Sequence, residues 1–307
     1  MRRVEAVVLM ALLAGCATPA STDTVPTSEA SAVPLPSNPT PSAPPEQPDA
    51  GPVPIEGSDL DTDGIQLVDV TVIHVDDGDS LIVELDGREE RVRLLGINAP
   101  ERDECLGDVS RQALENLEGE VVALGLEAEP RDQFDRLLAH VFTEDGYVNL
   151  AQVQTGLAIV ISGDHAFIDE LTDAQDTAES AAAGLWSPDV CGGGPIPDLE
   201  ITRIDENPPG PDEDALDLEI VEITNRSDQA ADLSGFVLRD ESTANRFVFP
   251  NGIILDAGDS LEVSAGCDPP RNALAWCADG PVWNNGGDTA LLLDPAGRIV
   301  DHMGYRG

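Results

Sequence analysis

Four residues in the first half of the chain are of the types that hydrolysis of a charged ester requires. Asp79 lies in Asp77-Gly78-Asp79-Ser80, Arg93 and Glu101 in the run Arg91-Val92-Arg93-Leu94-Leu95-Gly96-Ile97-Asn98-Ala99-Pro100-Glu101, and Arg136 closes Asp132-Gln133-Phe134-Asp135-Arg136. A carboxylate on a turn is a hard oxygen donor suited to Ca²⁺. Each arginine can offer phosphate oxygens a planar pair of donors, which an ammonium cannot. Pro100 fixes the backbone ahead of Glu101 and can aim its carboxylate at a water as a general base. Together these are the parts of a metal-assisted phosphodiester hydrolysis. Singly, each has an ordinary explanation. Asp-Gly-Asp is a common turn, an arginine in a strand often makes a cross-strand ion pair, and Glu101-Arg102-Asp103-Glu104 could be a solvated acidic loop.

The elements that must position these residues alternate between strand and helix. Val68 to Val75 reads as a strand, Asp76 to Asp79 as a turn, and Ser80 to Leu85 as the returning strand. Asp86-Gly87 is a hairpin signal, and a further strand is predicted from Arg91 to Ile97. Val109, Ala113, Leu114 and Leu117 recur at helical spacing, with Gly119 as the stop. Val121 to Leu126 and Leu137 to Phe142 complete the strands. Asn149 is expected to cap a short helix ending at Gly156, and Phe167, Leu171, Ala174, Ala178 and Ala182 line a last helix closed by Gly184. Five short strands with interspersed helices suit a small barrel. Beyond Pro195 to Pro197, strand candidates at Leu199 to Ile204, Leu218 to Ile223, Phe236 to Leu238, Ser260 to Ser264, Ala290 to Leu293 and Ile299 to Met303 alternate with turn residues, and no long helical pattern intervenes. That spacing predicts an all-β sandwich. The chain is therefore expected to be mainly β with some α, in segments 1–15, 16–63, 64–194 and 195–307.

A net charge of −43, with sixteen arginines and no lysine, argues against a passive nucleic-acid binder, which carries a basic footprint. A small cationic site inside an acidic shell survives, because screening confines the repulsion to about 8 Å at physiological salt. At the N-terminus, Arg2, Arg3 and the apolar run Ala6 to Leu13 form a targeting segment too short to span a bilayer. Leu13-Ala14-Gly15-Cys16 resembles a bacterial lipoprotein box, which implies cleavage before Cys16 and lipidation of its thiol. The alternative is ordinary secretory cleavage near Ala17. Ala17 to about Thr62 is rich in Pro, Ser, Thr and acidic residues, and reads as a disordered tether with a reach between roughly 40 and about 140 Å. In an oxidising compartment the remaining Cys105, Cys191, Cys267 and Cys277 are expected to pair. Four cysteines allow three pairings; Cys105–Cys191 with Cys267–Cys277 keeps each bond inside one domain.

From Val70 to Trp186 the ordered set Asp77-Gly78-Asp79, Val92 to Glu101, Asp132 to Ala139, Val148-Asn149-Leu150 and Gly184-Leu185-Trp186 resembles the staphylococcal nuclease (thermonuclease-like) family. The resemblance implies a five-stranded OB-type barrel with helices and calcium-dependent cleavage of DNA and RNA with little sequence preference. By position it implies Asp79, Asn98 and the Ala99 carbonyl as metal ligands, Glu101 as the general base, and Arg93 and Arg136 as phosphate and transition-state partners. Two departures stand out. Asn98 replaces the family's second metal carboxylate, which predicts weakened Ca²⁺ affinity, and Asp135 replaces a glycine, which puts a negative charge beside Arg136. Asp76 and Asp77 are candidates to compensate at the metal. His74, His140, His165 and His302 are scattered and are assigned structural or surface roles.

The C-terminal part resembles the lamin-tail domain, an immunoglobulin-like sandwich, through Glu219 to Asn225, Leu233 to Asp240, Phe249-Pro250-Asn251-Gly252 and Trp283 to Thr289. Trp283 is expected in its core or a turn. The preferred expectation is a lipid-anchored, extracytoplasmic, monomeric nuclease acting on DNA or RNA, its sandwich domain serving a surface partner. The alternative is a non-catalytic surface interaction protein.

Overall fold

The first half owes its shape to strand pairing set by short turns. A computed structural model describes residues 64–306 apart from 193–194, 212–214, 243 and 271. The targeting segment, Cys16 and the tether lie outside the described residues. Strand β1 (Gln66–Val75) turns through residues 76–79 into β2 (Ser80–Leu85), and Asp86-Gly87, both at positive φ, turn the chain into β3 (Arg88–Leu94). That pair of left-handed residues is what a two-residue hairpin needs. Val70 and Val72 of β1 are buried, and a bulge between Val72 and His74 moves the inward phase to Val75. After β4 (Ile97–Asn98) come α1 (Gly107–Leu114), β5 (Val121–Leu126), β6 (Leu137–Thr143), β7 (Gly146–Tyr147), α2 (Val148–Gln154), β8 (Ile159–Val160) and α3 (Ile168–Ser180).

The sheet runs β3-β2-β1-β5-β6 and closes on itself through a parallel pairing of β3 with β6. This is a closed five-stranded barrel of OB type, filled by Val70, Leu81, Val92, Leu94, Leu124 and Val141, among others. Closure matters for chemistry, because it pairs Arg93 with Leu138, two residues beyond Arg136.

Two local expectations need correction. The strand predicted from Arg91 to Ile97 breaks after Leu94. Gly96 adopts φ +80°, Leu95 donates its N–H to the Ala139 carbonyl, and the chain re-pairs as β4 with β8. Asn149 is not a cap. It lies inside α2, fully buried, where its Oδ1 accepts from the Val141 N–H at 3.0 Å and its Nδ2 donates to the Leu95 and Ala139 carbonyls at 2.9 and 3.3 Å. It ties the barrel closure to the broken strand.

The second half consists of β9 (Leu199–Asp205), β10 (Ile220–Asn225), β11 (Ala231–Asp232), β12 (Val237–Arg239), β13 (Arg246–Val248), β14 (Ile254–Leu255), β15 (Ser260–Ser264), β16 (Leu274–Ala275), β17 (Gly287–Leu293) and β18 (Ile299–Arg306). Two four-stranded sheets, β16-β15-β10-β9 and β13-β12-β17-β18, enclose Ile201, Val221, Ile223, Leu238, Phe249 and Leu292, with Trp283 in the core. Leu218, expected to begin a strand, closes the 3₁₀ turn Leu216–Leu218 instead, and the strand starts at Ile220. Both halves belong to one compact unit. Ile159 and Leu185 pack with Leu291 and Leu293 in a buried apolar cluster that spans them. The structure pairs Cys105 with Cys191 and Cys267 with Cys277, at Cα separations of 5.7 and 4.4 Å.

Candidate active site

Asp79 ends a turn that is clamped from beneath. Asp77 Oδ1 accepts the Asp79 N–H at 3.0 Å, and Gln152 of α2 donates to the Gly78 carbonyl at 2.7 Å. A Cβ on Gly78 would fall 1.8 Å from the Ser110 hydroxyl of α1, so only glycine lets the turn and the helix approach this closely. The Asp79 carboxylate is almost fully buried. Its Oδ1 accepts from the Ser80 hydroxyl at 2.9 Å; its Oδ2 accepts the Ala99 N–H at 2.6 Å and lies 3.0 Å from Arg93 Nη2. Burial drives the Asp79 carboxyl well above the usual range, Arg93 pulls it back, and the charge of Asp77 adds to the rise.

Arg93 faces inward along β3. Its Nη1 donates to the Leu94 and Ile97 carbonyls at 3.1 and 2.7 Å, and its Nη2 donates to Asn98 Oδ1 at 2.7 Å besides pairing with Asp79. Three hydrogen bonds and the ion pair with Asp79 therefore occupy both Nη groups. Asn98 in turn donates from Nδ2 to the backbone carbonyl of Glu241, at 3.0 Å, across to the sandwich domain. Thus Asp79, Arg93, Asn98 and Ala99, chosen from sequence, form one hydrogen-bonded corner.

Arg136 reaches the same cavity from the other side. Arg93 and Arg136 both line a hollow of about 750 Å³ whose wall includes Glu127, Asp132, Phe134 and His165. Asp132 holds Arg136 through Nε at 2.7 Å and through its backbone N–H at 2.9 Å, and the guanidinium lies 5.6 Å from the centre of the Phe134 ring. Although burial pushes the Asp132 carboxyl up, hydrogen bonds from Arg136 and Phe134 hold it below the ordinary value. Asp135 has φ +63°, the left-handed region that explains a glycine at this place in the family motif and that aspartate tolerates. Its carboxylate reaches Arg131 at 3.4 Å and is largely exposed, so the negative charge expected beside Arg136 is directed elsewhere.

Glu101 stands apart from this cavity. It is exposed on a loop in which its N–H bonds Glu104 Oε2 at 3.1 Å and its carbonyl accepts the Glu104 N–H at 2.9 Å. Glu104 is also ion-paired with Arg246 of the sandwich domain. Asn98, Pro100 and Glu104 share a second hollow, about 200 Å³, with Arg239 and Arg246. Burial lowers the Arg239 guanidinium from its ordinary value, while Glu104, Asp240 and Glu101 pull it back up. Sequence reasoning missed these sandwich residues, because nothing local marks them. The one available signal was the unexplained amide at position 98.

A calcium ion takes about six to eight oxygen ligands, with several carboxylates in tight sites. Here the one carboxylate in the corner is matched by Arg93, and Asn98 is committed at both ends. Asp77 caps the turn, and Asp76 lies 3.9 Å from Arg102. Among the described residues no group of three or more His, Cys, Asp and Glu forms a cation site. In this arrangement the residues do not fit a calcium ion, and no step is derived through one.

Comparison with known proteins identifies both halves of the chain. Residues 91–188 match the model of the family described as Staphylococcal nuclease homologue, and residues 194–307 that of the Lamin Tail Domain. The chain is similar to an uncharacterized protein of Bacillus anthracis, 29% identical over 135 residues, 40% of this chain and 63% of that one. It is similar to the thermonuclease of Staphylococcus intermedius, 35% identical over 94 residues, 28% of this chain and 56% of that one. An uncharacterized endonuclease of Escherichia coli O157:H7 is 32% identical over 118 residues, 38% of this chain and 75% of that one. The chain thus spans less than two thirds of the first two relatives.

Proposed function

Because this chain belongs to the staphylococcal nuclease homologue family and continues into a lamin tail domain, we propose that it hydrolyses phosphodiester bonds of DNA or RNA with little sequence preference. The observation that supports this best is the juxtaposition on one cavity of Arg136 and Arg93, the arginine paired with the buried Asp79. Arg136, steadied through Nε by Asp132, has its Nη groups available to phosphate oxygens. Glu101, the general base that the family implies, lies outside this cavity, so its part in taking a proton from the attacking water rests on the family alone. Calcium dependence belongs to the proposal on the strength of the family alone. The proposal also includes export and a lipid anchor on Cys16 at the extracytoplasmic face of the cell membrane, supported by the N-terminal sequence, and a surface partner for the sandwich domain.

One observation favours the rival, a barrel kept for interaction only: both Nη groups of Arg93 are spent on internal acceptors. Degradation of plasmid and RNA by the purified chain separates the two. Calcium would run from micromolar to tens of millimolar, with a chelator and the variants Glu101→Gln and Arg136→Ala as controls. Cleavage lost with chelator and in both variants supports the hydrolase. No cleavage at any calcium level leaves the interaction protein.

A further inference from the structure

Asn98 has an amide where the hydrolase family carries an acid, and its two ends are read by different domains. Oδ1 accepts from Arg93 Nη2 at 2.7 Å; Nδ2 donates to the Glu241 carbonyl at 3.0 Å. The reverse orientation would set nitrogen against nitrogen and oxygen against oxygen, so these partners fix the side chain. An aspartate fits only half of the arrangement, since it would face the Glu241 carbonyl with a second acceptor. The turn that presents this carbonyl is itself anchored at both ends. Glu241 Oε2 accepts the Ser162 N–H at 2.9 Å, and the Glu241 N–H donates to Asp288 Oδ1 at 3.3 Å. Ile159, the partner of Asn98 in the β4–β8 pairing, belongs to the apolar cluster shared with Leu291 and Leu293.

We propose that the sandwich domain is built into the nuclease site, with Asn98 as the positioning residue that couples them. The Glu241 carbonyl orients the carboxamide, and the carboxamide completes the acceptor set that holds Arg93. The amide at position 98 is then a requirement of domain docking, not a weakened metal ligand. This rests on the hydrolase proposal, and the two readings of Asn98 give opposite results for the same change.

The test uses the full chain with Asn98→Asp and, on the sandwich side, Glu241→Gly, which removes the Ser162 contact and loosens the carbonyl. Amide hydrogen exchange at Ser162 reports docking without any reaction. Steady-state cleavage of a short labelled DNA across a calcium series reports the site. The expected result in Asn98→Asp is Ser162 exchange faster by about tenfold, a kcat lower by about tenfold and a KM within about twofold, with no recovery at high calcium. Glu241→Gly should likewise lower kcat and speed Ser162 exchange. Faster cleavage or a lower calcium requirement in Asn98→Asp, with Ser162 still protected, overturns the coupling. So does a Glu241→Gly variant that loses Ser162 protection at unchanged kcat. If no form cleaves, the hydrolase proposal fails, and Ser162 exchange in Asn98→Asp still decides the coupling: loss of protection upholds it and unchanged protection refutes it.

Discussion

Arg93→Lys separates what Arg93 does for the barrel from what it does for a substrate. The guanidinium spans four acceptors, the carbonyls of Leu94 and Ile97, Asn98 Oδ1 and Asp79 Oδ2, at 3.1, 2.7, 2.7 and 3.0 Å. A lysine ammonium directs its donors from one atom and cannot reach both sides of this fork. At least two of the four interactions are lost, each a charge-assisted contact to a mostly buried acceptor, worth about 1.5–3 kcal/mol. The expected destabilisation is about 3–6 kcal/mol, against a total stability of about 5–15 kcal/mol. With about 2–4 °C per kcal/mol for a protein of this size, the unfolding midpoint should fall by roughly 6–24 °C. The assay is paired urea and thermal unfolding of the chain and its variant, with cleavage measured well below both midpoints. A variant that unfolds within about 1 kcal/mol of the original while losing cleavage would refute the placement. Arg93 would then face substrate and not hold the corner.

Stability should also depend on pH through His302. Burial alone lowers this imidazole, but Glu179, 3.3 Å away, with Asp301 and Asp176, outweighs it and raises the pKa above 6.5. A group raised on folding contributes stability that is complete below its unfolded pKa and disappears as pH climbs through the folded value. The urea midpoint of the chain should therefore drop more than that of His302→Gln between about pH 6 and 8, and parallel curves would discount the pair. The two disulfides should differ in worth because they close loops of separation 86 and 10. Loop-closure entropy gives about 4–5 kcal/mol for Cys105–Cys191 and about 2–3 kcal/mol for Cys267–Cys277. Urea unfolding of the two double-serine variants measures both, and equal losses would mean that chain entropy is not what they supply.

What sequence made legible was local. Ser80 to Leu85 and Val121 to Leu126 coincide with β2 and β5, because alternation and flanking turns are contained in a few residues. The set Asp79, Arg93, Asn98 and Ala99 was legible through the family resemblance, which carries Asn98 and Ala99 over by position, and the structure brings the four together. What was lost depended on pairing between distant segments. The break after Leu94 follows from the Leu95 N–H reaching Ala139, and Asn149 looked like a cap because its three partners lie in two other elements. The grip of Glu241 on Asn98 spans 143 positions of chain, beyond any local pattern. Glu101 was placed with the other candidates by motif order, yet its loop, through Pro100 and Glu104, lines the second cavity with Arg239, whose guanidinium feels the Glu101 charge.

The charge balance of the site sets how a polyanion must approach it. Four arginines near the cavities are matched by carboxylates: Arg93 by Asp79, Arg136 by Asp132, Arg131 by Glu90 and Arg246 by Glu104, while Arg239 donates to backbone carbonyls. Among the described residues these pairs leave little local positive charge against the −43 of the chain. A basic protein loses nucleic-acid affinity as salt rises, because releasing each counterion into a saltier solution gains less free energy. Here the dominant long-range term is repulsion, and salt weakens it. Raising ionic strength from about 10 to about 150 mM contracts the screening length from about 30 to about 8 Å. The kcat/KM for a short oligonucleotide should therefore rise across that range before it levels, at fixed calcium activity. A steep fall instead would mean that several arginines exchange their carboxylates for phosphates as substrate docks, and that local pairing, not the field of the whole chain, governs approach.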